Sequence, residues 1–275
     1  SLLNTEAEII DDPRLISGEE ALEMVGNVEF KDVGFKYKDG EQVLTGFNLR
    51  VKAGEKIALV GETGSGKSTI VNLACRFYEP TEGSILIDGV DYRRRTLKWL
   101  HSNLGYVLQA PHLFSGTVRD NIRYGNLEAS EEDIFRAAEL VNAHRFIETL
   151  EKGYDTQVGE GGNLLSTGEK QLISFARAIL SNPRLFVLDE ATSSVDTETE
   201  QLIQNAIENV LEGRTSFIIA HRLSTIKNAD RILVIQNGKI VEEGNHHDLI
   251  AARRYYYRLY TNQFMEEEEE KLLHQ

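Results

Sequence analysis

Residues 61–68 read GETGSGKS and follow directly on the apolar run KIALV. The spacing fits G-x-x-x-x-G-K-[ST] between a short buried strand and a helix. That context makes a loop whose backbone N–H groups converge on phosphate oxygens at a helix N-terminus. Gly61 opens the turn, and Gly64 and Gly66 admit positive φ while leaving no side chain in the way. Lys67 is placed to reach the β and γ phosphates, and the Ser68 hydroxyl to ligate Mg²⁺. Thr63, Ser65 and Thr69 stand beside them as candidate nucleotide contacts. A ligand-free glycine-rich turn would share the composition. The strand before it and the helix after it favour the phosphate loop.

A second stretch, LFVLDEATSSVD, carries matching chemistry. Leu185 to Leu188 form a buried strand, and Asp189 emerges at its C-terminal edge, where open α/β sheets place ligands. Asp189 is expected to hold Mg²⁺ through water, and Glu190 to polarise an attacking water as a general base. Alone, Asp-Glu at a strand end is unremarkable. Its pairing with the phosphate loop gives it meaning.

Around these motifs the periodicity predicts an α/β domain. VEFKDVGFKY and EQVLTGFNLRV alternate as strands, suggesting an added antiparallel sheet. A strand at KIALV, a helix near 67–77 and strands at SILIDG and LGYVLQ follow. Beyond the middle of the chain, strands at RLFVLDE, RTSFIIAH and ADRILVIQNG alternate with helices near 197–211 and 223–228, and strands alternating with helices imply a largely parallel core sheet. The middle, about 112–182, reads as a helical insert. Within it Ser130 with Glu132 and Asp133 starts a helix as a capping box. NGKIVEEG reads as a tight hairpin turn into a short strand.

Charge and composition narrow the function classes. A net charge of −14 on 275 residues opposes a broad nucleic-acid surface, while a local phosphate site remains open. The single cysteine, Cys75, permits neither an internal disulfide nor a thiolate metal site. No apolar run has the length of a membrane span, and no signal peptide is evident, so any spanning part is expected elsewhere.

The stretch LLSTGEKQ, 164–171, poses a sharper question. Ser166 as N-cap and Glu169 three residues on form a capping-box pattern ahead of QLISFARAIL. Read locally it is only a helix start, yet such an N-terminus can also face an anion.

With these motifs in this order, the sequence resembles the ATP-binding cassette (ABC) ATPases over about residues 27–260. The likeness is to the nucleotide-binding domains of exporters, carried by FKDVGFKY, GETGSGKSTIVNLACRFYEPTEGSILIDG, LFSGTVRDNIRYG and DEATSSVDTETE. It implies an α/β P-loop NTPase fold with a mainly parallel core sheet, an antiparallel β subdomain and a helical subdomain. It also implies ATP hydrolysis with ATP and Mg²⁺. The expected domains are a linker over 1–26 from an absent transmembrane domain, an ATPase domain over 27–265 and an acidic tail over 266–275.

The resemblance further implies roles for single residues. Tyr37 would stack on adenine, although alone it reads as a sheet-surface aromatic. Gln109 would contact Mg²⁺ or water and move with the transmembrane partner. Thr156 to Gly162 would touch that partner, Asp196 would cross a dimer interface, and His221 would contact the γ-phosphate and orient Glu190. Two such domains would pair head to tail. Ser166 and Gly168 would then face the partner's γ-phosphate, so the helix start at LLSTGEKQ would complete a neighbour's site.

The family signature LSGGQ is here LSTGE. Thr167 adds bulk close to phosphate. Glu169 adds a carboxylate that would weaken ATP binding unless it folds back onto the Ser166 N–H. With Lys67, Gln109, Asp189, Glu190 and His221 intact, the departure suggests a heterodimer whose other chain differs. Harmless drift in a homodimer is the competing reading. The expected setting is the cytoplasmic face of a membrane, with the transmembrane domain fused upstream of Ser1 and no nucleic-acid partner. A soluble ABC ATPase of DNA repair or translation, and a module that binds nucleotide without hydrolysis, are the alternatives from other classes.

Overall fold

Two long strands, β1 (Val28–Lys36) and β2 (Gln42–Val51), pair antiparallel because every second side chain is apolar and turns to one face. A register shift after Phe30, with Asp32 in the left-handed region at φ 47°, slips the alternation in β1. Val28 and Phe30 before it, and Val33 and Phe35 after it, therefore all reach the core. The computed structural model describes residues 9–11, 23–38, 40–108, 111–189, 197–220 and 223–262.

The chain continues through β3 (Lys56–Val60), α1 (Lys67–Ala74), β4 (Glu82–Ile87), β5 (Val90–Asp91), α2 (Leu97–Ser102) and β6 (Leu104–Val107). A helical layer follows: α3 (Val118–Arg123), α4 (Glu131–Leu140), α5 (His144–Thr149) and α6 (Thr167–Leu180). Then come β7 (Leu185–Asp189), α7 (Thr197–Leu211), β8 (Thr215–Ile219), α8 (Leu223–Lys227), β9 (Arg231–Gln236), β10 (Lys239–Gly244) and α9 (His246–Ala252), with a last helix over 255–262.

These strands form two sheets. One is antiparallel, in the order β2-β1-β4-β5. The other runs β10-β9-β3-β8-β7-β6 and is parallel except for the edge hairpin strand β10. Strand β8 lies between β3 and β7, so the ends of β3 and β7 flank its C-terminal end on one rim of the sheet.

The parallel sheet is buried on both faces, and its pleat sorts side chains between two cores. Ile57 and Leu59 of β3 join Leu185, Val187, Phe217 and Ile219 against α1 and the antiparallel sheet. Ala58 and Val60 join Phe186, Leu188 and Ile218 against α6 and α7. Each fully buried phenylalanine, such as Phe175 of α6 and Phe186 of β7, contributes roughly 1.5–3 kcal/mol of burial free energy.

Helices α3, α4 and α6 of the helical layer are capped by side chains, which fixes where each begins, whereas α5 starts at Ala143 without one. Thr117 with Asp120, Ser130 with Asp133, and Ser166 with Glu169 all form reciprocal capping boxes. Between α5 and α6 the chain runs through turns rather than continuous helix.

Helix α1 ends earlier than its periodicity predicts. Arg76 takes φ 54°, and its buried guanidinium is drawn to the carbonyls of Tyr92 and Arg95 and to the Glu79 carboxylate. Short helices such as α2, whose Thr96 hydroxyl accepts the Trp99 N–H, carry too few turns to leave a periodic trace. Among the described residues no helix is long and apolar enough to cross a membrane.

Candidate nucleotide site

The loop leaving β3 is built on three glycines with positive φ: Gly61 at 154°, Gly64 at 79° and Gly66 at 108°. Two of them have distinct physical reasons. A Cβ on Gly61 would stand 2.2 Å from the Ile235 carbonyl oxygen, so the loop can pass the end of β9 only without a side chain. Gly66 is the left-handed N-cap of α1 and offers no side-chain acceptor to the first turn. Helix α1 also has no acidic residue in that turn. Against the capping boxes of α3, α4 and α6, the start of α1 is left electropositive, as an anion site requires.

Lys67 is buried in this turn, and its ammonium donates to the carbonyls of Gly61 at 2.6 Å and Glu62 at 2.9 Å. Burial pushes its pKa below the ordinary lysine value, while the Asp189 carboxylate acts in the opposite sense. Its acceptors are neutral carbonyls, so the cation retains charge to offer a phosphate. Ser65 is buried, and its carbonyl accepts the Gly238 N–H at 2.8 Å. Gly238 belongs to the β9–β10 hairpin turn, which thus props the loop from behind.

A cavity of about 530 Å³ gathers Tyr37, Val43, Thr63, Gly64, Gly66, Lys67, Ser68, Thr69, Asp189 and Ile219. The structure therefore joins the two motifs, more than a hundred residues apart in sequence, in one space. Ser68 is exposed there, and Asp189 is partly buried at the end of β7. A hydroxyl and a carboxylate facing one phosphate cradle are a donor set suited to Mg²⁺. Tyr37 lines the same space with its hydroxyl 3.0 Å from Thr69 Oγ1, and Phe35 and Tyr78 meet its ring edge to face. Val43 and Ile219 carry no chemical signature, and sequence reasoning missed them. Gly238 was legible only as a hairpin turn.

Ser166 and Gly168 do not line this cavity. They begin α6, where the Ser166 hydroxyl accepts the Glu169 N–H at 3.3 Å and Glu169 Oε2 accepts the Ser166 N–H at 2.8 Å. The carboxylate is folded back onto the Ser166 N–H, the arrangement anticipated to lessen its penalty. Thr167 is exposed and Gly168 buried. The segment from Thr156 to Gly162 is pinned beside α3, with the Val118 N–H donating to the Thr156 carbonyl and the Val158 N–H to that of Gly116. Gln109, Glu190, Asp196 and His221 lie outside the described residues, as does the tail over 266–275.

The arrangement can be compared with known proteins. The sequence model of the ABC transporter family matches residues 44–193. The chain belongs to the ABC transporter family. The uncharacterized ABC transporter ATP-binding protein YfiC of Bacillus subtilis (strain 168) is 53% identical over 223 residues, which are 81% of this chain and 37% of that protein. ABC transporter B family member 4 of Dictyostelium discoideum is 50% identical over 228 residues, 82% of this chain and 30% of its own length. A solved structure of a bacterial Atm1-family ABC exporter with ATP bound superposes with a TM-score of 0.86 at 42% identity, over 95% of this chain and 45% of that one. The chain thus spans less than half the length of these relatives. It is an exporter-type ABC nucleotide-binding domain, the part of such proteins that binds and hydrolyses ATP. The reading as a soluble ABC ATPase unconnected with transport is set aside by these relatives.

Proposed function

We propose that this ABC domain powers export across a membrane by closing head to tail with a second ABC domain around Mg²⁺-bound ATP. The carrying observation is that Tyr37, Lys67, Ser68 and Asp189 face one cavity while Ser166 and Gly168 do not. A chain with its cradle in one place and its signature in another holds two half-sites. Each would be completed by a neighbour.

In this reading Tyr37 stacks on adenine, and the loop from Gly61 to Thr69 holds the phosphates, Thr63 and Ser65 included. Lys67 neutralises the β and γ oxygens. Ser68, Asp189 and Gln109 hold Mg²⁺, which draws charge from the γ-phosphate when bound. Glu190 takes the proton of the attacking water, and His221 orients Glu190 and the phosphate. Ser166 and Gly168 face the neighbour's nucleotide, and Asp196 crosses the interface. Loss of the γ-phosphate contact reopens the pair. The partner on the membrane side is a transmembrane domain of the same exporter, joined ahead of Ser1, with this domain on the cytoplasmic face.

Replacement of Glu190 by Gln is expected to stop steady-state turnover and trap an ATP-bound dimer. Normal hydrolysis by that variant sinks the general-base role. ATPase rate against protein concentration tests the shared site, because strict proportionality throughout counts against half-sites on weakly associating chains.

The altered signature favours a second chain of different sequence. A homodimer is the second reading, favoured by the Glu169 carboxylate being spent on the Ser166 N–H rather than turned outward. Purification of the tagged exporter followed by mass spectrometry separates the two. A second ABC protein in equal amount indicates the heterodimer, and this chain alone the homodimer.

A further inference from the structure

Gly168 is the second residue of α6 and is buried. Its backbone does not lie in the left-handed region, so no turn requires glycine there. Glycine in a helix costs about 1 kcal/mol relative to alanine. The structure supplies a reason for it. A Cβ on Gly168 would lie 2.2 Å from Thr199 Cγ2, closer than side-chain atoms approach. The next neighbours, Thr199 Cβ at 3.6 Å and Ile203 Cδ1 at 3.7 Å, are at ordinary contact distance. A single methyl group is therefore what forbids a side chain at this place in the signature.

Thr199 sits in the first turn of α7, the helix that the chain enters after Asp189 ends β7. That helix cannot retreat. Ile203, Ala206, Ile207 and Val210 anchor it in the same core as Leu172, Ile173 and Phe175 of α6. Nor can the start of α6 easily re-form elsewhere, since the capping box fixes its first turn. Two helix ends thus meet at one close contact, the first turn of α7 and the turn that Ser166 heads.

We infer that Thr199 is a positioning residue for the signature: its Cγ2 methyl is the surface on which α6 seats its first turn at Gly168, and it sets where the Ser166–Glu169 turn stands. This rests on the reading that the turn serves a neighbouring chain's nucleotide. Given that reading, the seat at Gly168 fixes where this chain presents its signature turn to the other's nucleotide. The other account of Gly168, that only a bare backbone fits against the neighbour's phosphate, makes a different prediction.

The experiment uses this chain with Glu190→Gln as background. It reads the melting temperature without nucleotide, ATP affinity of dilute protein, and ATP-dependent dimerisation by sedimentation. Gly168→Ala is expected to lower the melting temperature and weaken dimerisation about tenfold or more, while ATP affinity of the dilute protein stays as it was. Adding Thr199→Ser removes only the obstructing methyl and should restore both within about threefold, and Thr199→Ala in the same place should do likewise.

If the double variants remain as impaired as Gly168→Ala, the glycine is needed on its outward side and the inference is wrong. It is equally wrong if Gly168→Ala changes nothing. Ser166→Ala is the control for the underlying reading. If it leaves dimerisation intact, the head-to-tail site fails and the positioning role toward a neighbouring chain falls with it, whereas recovery of the melting temperature in the double variants still judges the contact itself.

Discussion

The Ser166 hydroxyl accepts the Glu169 N–H while the Glu169 carboxylate accepts the Ser166 N–H, at 3.3 and 2.8 Å. The residue that departs most in charge from the family signature is therefore also the one that stabilises the helix bearing it. Two substitutions separate these effects. Glu169→Ala removes one half of the box and should cost about 0.5–1 kcal/mol in a denaturant melt. Glu169→Gln keeps an acceptor and should melt like the parent, yet close over ATP more tightly because a charge has left the phosphate's surroundings. Equal dimerisation by parent and Gln variant would show that the capped carboxylate is electrostatically silent toward the nucleotide.

Gly238 should matter to nucleotide binding although it lies far outside the phosphate-loop motif. Its N–H holds the Ser65 carbonyl at 2.8 Å, and a Cβ there would stand 1.8 Å from the Val43 carbonyl oxygen. Gly238→Ala is expected to displace the hairpin turn and cost about tenfold or more in affinity for a fluorescent ATP analogue. Gly213 has nearly the same φ, 69° against 70°, with nothing within 4 Å of its Cβ position. Gly213→Ala therefore reports the backbone strain alone and should leave affinity unchanged.

Tyr37 offers a ring and a hydroxyl, and the two can be told apart. If the ring stacks on adenine, Tyr37→Ala should weaken ATP binding by roughly 1–3 kcal/mol, and Tyr37→Phe should retain most of the affinity. A Phe variant as weak as the Ala variant would place the effect in the hydroxyl bond to Thr69 Oγ1, 3.0 Å away. Titration calorimetry with ATP and with a triphosphate lacking a base distinguishes the outcomes.

Two caps predict an acid-sensitive component of stability. The Asp120 carboxyl is held below its ordinary value of 3.8 by the Thr117 hydroxyl and then by the Thr117 N–H. Asp133 is held down in the same way by the hydroxyl and N–H of Ser130. Because these pKa values are depressed on folding, the caps contribute above the unfolded value and their contribution is lost as pH falls through the folded value. Asp120→Asn with Asp133→Asn should be less stable than the parent at neutral pH and converge on it in acid. Parallel stability curves from neutral to low pH would contradict this.

The phosphate loop, the Asp189 strand, α7 and α8 were legible because each depends on neighbours in the chain: strand periodicity, glycine conformation, a cap three residues away. The capping boxes at Ser130 and Ser166 were legible for the same reason. The short helix α2 and the helix over 255–262 were not, since one or two turns packed against a sheet leave no repeating pattern. Val43 and Ile219 were missed because an apolar residue lining a cavity looks like any core residue.

Local sequence determined that this chain has a phosphate loop at the start of a helix, an acidic strand end to match it and a self-capped signature helix. Those features rest on φ/ψ preference and hydrogen bonds spanning a few residues. Only tertiary structure decided why particular glycines stand where they do. Gly61 answers to the Ile235 carbonyl, Gly238 to the Val43 carbonyl and Gly168 to the Thr199 methyl. Such contacts join residues that are strangers in sequence, and close packing makes a single misplaced carbon atom decisive only once the fold has brought them together.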